Sequence, residues 1–253
     1  MLEGRLTNRV ALISGAARGQ GRAHAVRLAS EGADIIAFDV PGPDAHVGYP
    51  LGTADDLAET VRLVEAAGGR IVAGHADVRD AAAVQRVVDR GVEALGPVHI
   101  VVANAGIICP GKVFWKITDE QWTDVVDVNL NGVWRTVKAA MPSMLGAAKG
   151  GSIILISSAA TQRGPMGTAD YIAAKAGLLG MMRTMARELS RHEIRVNCVL
   201  PGNVNTDLIH NDAMYRQFRP ELENPTLEDV EPLFRRTMLL KHPWAEVDDI
   251  AND

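Results

Sequence analysis

Tyr171 and Lys175 occur in Tyr171-Ile172-Ala173-Ala174-Lys175, a separation that sets a phenol and an ammonium on one face of a helix. A free phenol has a pKa of about 10 and is a poor base at neutral pH. A neighbouring positive charge favours the phenolate, and lowering the pKa by two to three units corresponds to about 3–4 kcal/mol. Ser158, at the end of an apolar run before Tyr171, adds a hydroxyl able to hydrogen-bond the same substrate oxygen. Together these groups suit proton transfer at an alcohol or carbonyl oxygen. A Tyr-x-x-x-Lys pair is common by itself, so its meaning depends on what accompanies it.

Near the N-terminus an apolar run leads into Gly15-x-x-x-Gly19-x-Gly21, with Arg18 and Gln20 inside the turn, and then a helical pattern begins. A pyrophosphate must approach the main chain closely and rest on the free N–H groups of a helix start, where side chains obstruct it. The spacing differs from the Gly-x-Gly-x-x-Gly dinucleotide fingerprint. Asp39 lies about 20 residues further on, where a carboxylate accepts hydrogen bonds from the adenosine ribose. The same carboxylate repels a 2′-phosphate and favours NAD over NADP, whereas Arg18 is able to pair with that phosphate. With NAD bound, the nicotinamide cation joins Lys175 in favouring the Tyr171 phenolate.

The elements that must position these groups follow from the apolar pattern. Short runs rich in Val and Ile at 10–13, 35–38, 71–73, 98–103, 153–156 and 196–200 are expected to be strands. Between them, 20–30, 54–67, 81–93, 119–145 and 169–191 carry apolar residues at spacings of three and four and are expected to be helices. Strands that are apolar throughout are covered on both faces, so the expected fold is α/β: a doubly wound, Rossmann-type parallel sheet with helices on both faces, in a single domain. Two stretches break the alternation: an insertion at 40–53, rich in Pro and Gly, and a segment at 203–243 on the substrate side. Ligands in such sheets bind beyond the carboxyl ends of the strands, where these stretches lie.

The ordered set Gly15-x-x-x-Gly19-x-Gly21, Asp77, Asn104-Ala105-Gly106, Asn129, Ser158, Tyr171/Lys175 and Pro201-Gly202 resembles the short-chain dehydrogenase/reductase family. The resemblance implies that Tyr171 is the catalytic acid/base and that Ser158 orients the substrate oxygen. Lys175 would hold the nicotinamide ribose, and Asn129 would anchor a water that relays protons. Asp77 and Val78 would approach the adenine, with Asn104, Ala105 and Gly106 lining the cofactor cleft and Pro201, Val204 and Thr206 contacting the nicotinamide end. The insertion, with Gln20-Gly21-Arg22-Ala23-His24 and Pro201–Thr206, is similar to the mycofactocin-associated branch, which includes proteins described as carveol dehydrogenases. That likeness implies an NAD that does not exchange freely, electrons passed to mycofactocin, and an extra loop beside the adenosine half. The family also implies a homotetramer, and a further helix and seventh strand after the equivalent of residues 248–251. Either one sheet edge lacks its outer strand or the biological chain continues past Asp253.

Composition narrows the partners. The 253 residues are 47% hydrophobic, which excludes a disordered chain, and a net charge of −5 offers no broad basic surface for nucleic acid. No apolar run reaches the ~18 residues of a membrane span and no signal peptide is evident, so a cytoplasmic protein is expected. Cys109 and Cys198 form no Cys-x-x-Cys pair and the seven His no metal-binding spacing, so no metal is assigned and both cysteines are expected to be buried. Ile107, Ile108, Pro165, Met166, Leu208, Ile209, Met214, Tyr215 and Phe218 are candidate pocket residues, suited to a hydrophobic secondary alcohol or ketone such as a monoterpenoid. His210, Arg216 and Arg219 offer polar recognition instead. Two other readings stay open: an NADP-linked carbonyl reductase using soluble cofactor, suggested by Arg18, and a non-catalytic dinucleotide sensor.

Overall fold

A computed structural model describes residues 4–40, 42 and 47–252. Six parallel strands, β1 (Val10–Ser14), β2 (Asp34–Asp39), β3 (Ile71–His75), β4 (Ile100–Ala103), β5 (Gly151–Ile156) and β6 (Ile194–Val199), form one sheet in the order β3-β2-β1-β4-β5-β6. The order reverses between β1 and β4, and that is the switch point beside which an open α/β sheet binds its ligand. Successive residues of a strand face opposite sides. Leu12, Ile36, Phe38, Val101 and Ile153 therefore enter one buried layer with Val84, Val88, Val137 and Leu178, while Ala11, Ile13, Ile35 and Val102 enter another with Ala25, Ala29 and Val64. The fold is the doubly wound Rossmann-type arrangement. β3, at one edge, is only half-buried.

The helices are α1 (Gly19–Ser30), α2 (Ala54–Ala66), α3 (Ala81–Leu95), α4 (Asp119–Val126), α5 (Gly132–Ala147), α6 (Ala169–Leu189), α7 (Asp212–Phe218), α8 (Leu227–Thr237) and α9 (Val247–Ala251). Expected strand ends move by up to two residues: the third runs on to His75, the fourth begins at Ile100 rather than at 98, the fifth begins at Gly151 rather than at 153, and the sixth spans Ile194–Val199. The single helix expected over 119–145 is interrupted by a π-helical turn at Asp127–Asn131. The side chain of Asn129 causes no helix-like pattern to fail in the sequence, yet it bonds outside the helix as well as within it. Its amide donates to the Ile107 and Val125 carbonyls and accepts from Ile107 N–H. The segment after β6, expected only as a substrate-side insertion, contains α7 and α8. Cys109 is buried, but Cys198 is half-buried rather than fully enclosed. No described helix is long and apolar enough to cross a membrane.

Pro41 and residues 43–46 of the insertion lie outside the described residues. Its latter part, 47–52, lies along the edge of the cleft above the strand ends. Val47 and Tyr49 are buried in the larger core layer, and Thr53 then caps α2 by accepting from Asp56 N–H at 3.1 Å.

Candidate active site

The first strand ends in a turn built for close approach. Gly15 has φ +68°, and a Cβ there would stand 2.8 Å from the Ala105 Cα. A Cβ on Gly21 would meet the Gly15 carbonyl oxygen at 2.0 Å, so only glycine lets α1 pack against the turn. Behind the turn, Thr60 donates to the Ala16 carbonyl at 2.9 Å and Arg22 donates to that of Ala17. Asn104 donates to the Ser14 and Gly15 carbonyls, each at 3.1 Å, which fixes the end of β4 to the turn. α1 has no capping side chain and no acidic residue in its first turn, unlike α2, whose first turn carries both. Its free N–H groups and positive dipole end are left for an anion.

This turn opens into a cleft of about 660 Å³ above the switch point. Gly15, Arg18, Gly19, Gln20, Asp39, Asp77, Val78, Asn104, Ala105, Gly106, Asn129, Ser158, Tyr171, Lys175, Pro201, Val204 and Thr206 all line it. Gly21 alone among the predicted site residues does not; it serves the packing just described. Asp39 accepts Ala17 N–H at 2.7 Å and Val40 N–H at 2.8 Å, and burial holds its carboxyl above the usual range despite them. Asp77 is paired with Arg79 at 2.7 Å. Arg18 does not stand free: one guanidinium nitrogen reaches Asp207 and the other the Pro50 carbonyl.

At the other end of the cleft Tyr171 and Ser158 lie together, and both are buried. Ser158 accepts Ala160 N–H at 3.2 Å. Lys175 is buried beside them, its ammonium donating to the Ile156 carbonyl at 2.8 Å. Gly106 leaves room between Asn129 Oδ1 and Lys175 Nζ, since a Cβ there would lie 2.8 and 3.1 Å from them. Burial pushes the Tyr171 phenol up and Lys175 down to about 8. The lowered phenol pKa is expected from Lys175 together with a bound nicotinamide cation, and without that second charge loss of hydration dominates at the phenol, with Lys175 Nζ 5.9 Å from the ring centre.

Of the candidate pocket residues, Ile107, Leu208 and Ile209 line the same cleft, and Ile108 and Met214 pack behind them in the core layer. Pro165 and Met166 belong to a separate apolar depression with Val113, Phe114 and Trp115. Phe218 stacks edge-on against Phe234 at 4.7 Å, and the Tyr215 hydroxyl lies 3.3 Å from His210 Nδ1. Arg216 and Arg219 pair with Asp212 and Glu221 and do not line the cleft. Sequence reasoning missed Tyr49, Asp207, Leu51 and Gln217. Tyr49 accepts Ile108 N–H at 3.2 Å, and Gln217 donates to the Met166 carbonyl at 2.7 Å. Their contacts depend on where two irregular segments meet, which no periodicity encodes.

The family model described as short chain dehydrogenase matches residues 9–214. A (-)-trans-carveol dehydrogenase of Rhodococcus erythropolis is 49% identical over 248 residues, covering 98% of this chain and 90% of the relative. The crystal structure of a carveol dehydrogenase from Mycobacterium avium in complex with NAD superposes with a TM-score of 0.96 at 51% identity, over 98% of this chain and 90% of that one. A short chain dehydrogenase from Mycobacterium paratuberculosis bound to NAD gives 0.89 at 46% identity, with the same coverage. Its motifs, its sheet and these relatives agree: the chain belongs to the short-chain dehydrogenase/reductase family, oxidoreductases acting on CH–OH groups.

Proposed function

We propose that the protein is an NAD-dependent dehydrogenase that interconverts a hydrophobic secondary alcohol, carveol-like or otherwise alicyclic, and its ketone. One observation carries this reading. A single cleft joins an uncapped helix start and Asp39 at one end to the buried Ser158 and Tyr171, beside the apolar side chains of Ile107, Leu208 and Ile209, at the other.

The residues fit NAD. Gly15 and Gly19 leave the turn open, α1 offers its free N–H groups, and the buried Gln20 Oε1 has no partner within the described protein. Asp39 would receive the adenosine ribose hydroxyls, and Asp77 and Val78 would flank the adenine. Asn104, Ala105 and Gly106 would line the middle of the cleft, Lys175 would hold the second ribose, and Pro201, Val204 and Thr206 would close the nicotinamide end. With Arg18 already occupied by Asp207 and Pro50, a 2′-phosphate would find a carboxylate and no free guanidinium, which supports NAD over NADP.

When bound, NAD supplies a hydride acceptor and a positive charge. Ser158 holds the substrate oxygen, and Tyr171 takes the hydroxyl proton as the carbinol carbon gives up hydride. Lys175 favours the phenolate, and with a pKa of about 8 it exchanges protons readily near neutrality. Asn129 fixes the adjoining loop and would anchor a relay to solvent. In the reducing direction the same groups return the proton.

The likeness to the mycofactocin-associated branch extends the proposal: NAD stays bound and mycofactocin reoxidises it. Support comes from segment 47–52 and Asp207, which meet over the cleft through Arg18. We take the whole chain as one cofactor-binding and catalytic unit that assembles as a homotetramer, with α4, α5 and α6 at the contacts; the half-exposed Trp122 and Trp134 support that face. Mass spectrometry of protein purified without added nucleotide tests retention. NAD is expected to accompany the protein and to be reduced by alcohol without free NAD. Empty protein that turns over only with soluble NADP would contradict the proposal.

A further inference from the structure

We propose that Tyr49 is a positioning residue that couples the strap along the cofactor cleft, residues 47–52, to the loop forming the substrate wall. The inference rests on the reading of the cleft as a site for a hydrophobic alcohol beside a dinucleotide.

The strap touches the cleft at several points. A Cβ on Gly52 would lie 2.9 Å from the Ala17 Cβ and 3.6 Å from Asp39 Oδ2, so the strap passes close to the ribose carboxylate. The Pro50 carbonyl accepts from Arg18, whose other arm reaches Asp207 on the segment after β6. A Cβ on Gly48 would stand 3.2 Å from the Ala213 Cβ on α7. Between these contacts the strap turns inward and buries Tyr49, which is 7% exposed. The loop implied by the family resemblance was expected beside the adenosine half; its described part reaches the substrate end as well.

There the Tyr49 hydroxyl accepts the N–H of Ile108 at 3.2 Å. Ile108 is 6% exposed, so water is a poor substitute acceptor, and a buried N–H without a partner is costly. The neighbouring polar groups of this loop are held from the scaffold. Asn129 binds both the N–H and the carbonyl of Ile107, and Gln121, itself held by the buried Asp170 at 2.9 Å, donates to the Cys109 carbonyl at 3.3 Å. Tyr49 instead comes from the strap. Lifting the strap takes away the acceptor and loosens Ile108 and, with it, Ile107, which lines the cleft in front of it. By linkage, a substrate pressed against that wall favours the closed strap, and a closed strap over the cofactor favours the substrate to the same extent.

Tyr49→Phe in the holoenzyme keeps the ring and removes the acceptor. Amide hydrogen exchange across 105–110 should quicken at least tenfold. KM for (-)-trans-carveol should rise about tenfold with kcat within about twofold, and bound nucleotide should be released faster. Unchanged exchange overturns the proposal, as does faster exchange with KM unchanged, or a lower Tm as the sole effect. If the unaltered protein oxidises no alcohol, the functional reading fails separately. Exchange at 105–110 and nucleotide release then decide the coupling: both faster in Tyr49→Phe supports it, and either unchanged overturns it.

Discussion

Burial drives Tyr171 and Lys175 toward their neutral forms, raising the phenol and lowering the ammonium to about 8. The proton chemistry of the pair is then set by what charge enters the cleft. Lys175→Met removes the cation that favours the phenolate, so the pH profile of kcat for alcohol oxidation should move to higher pH; a profile left in place would remove Lys175 from the acid–base role. Asp39 sets the other end of the cleft. Asp39→Ala should narrow the preference for NAD over NADP by about tenfold or more, roughly 1.4 kcal/mol, measured as the ratio of the two Kd values. An unchanged ratio would place selectivity elsewhere. Ser158, Tyr171, Lys175, Asn129 and the glycine turn were legible in the sequence because their chemistry fixes residue type and order. Tyr49 and Asp207 were not, because each acts through a partner far away in the chain, Ile108 and Arg18 respectively.

At the scale of elements, strand positions were legible to within two or three residues, since β-branched runs buried on both faces leave few alternatives. The helix over 119–145 was not, because the Asn129 side chain takes the Val125 carbonyl, a regular helical acceptor, and is held there by bonds to Ile107 that exist only once the chain is folded. Asn129→Ala should cost about 2–3 kcal/mol by leaving buried backbone groups of the loop unpaired, read as a lower urea midpoint. Full stability would show that the π-helical turn holds without it. On α1, burial lowers His24 to about 4, and its Nε2 has no partner. The folded pKa lies below the unfolded value of about 6.5, so the unfolded chain binds the extra proton between them. Stability contributed by neutral His24 is complete above about pH 6.5 and falls as pH drops toward 4, by on the order of 3 kcal/mol. His24→Leu should flatten Tm against pH across that window; the same slope in both proteins would assign acid sensitivity to other groups.

For the whole molecule, the doubly wound sheet places every catalytic candidate above the carboxyl ends of its strands, and two irregular segments then close over the resulting cleft. The sheet, its order and the ends of the strands follow from patterns repeated along the sequence. The closure follows from contacts between the strap, Arg18, Asp207 and α7, which join residues far apart in the sequence. The account stands or falls on whether the phenol in that cleft moves the alcohol proton. The direct measurement is a single turnover of NAD-loaded protein with a hydrophobic secondary alcohol, followed by the absorbance of the reduced nicotinamide, in the unaltered protein and in Tyr171→Phe. The variant should keep its NAD and slow hydride transfer by about 10²–10⁴-fold. Equal rates in the two proteins would contradict the mechanism.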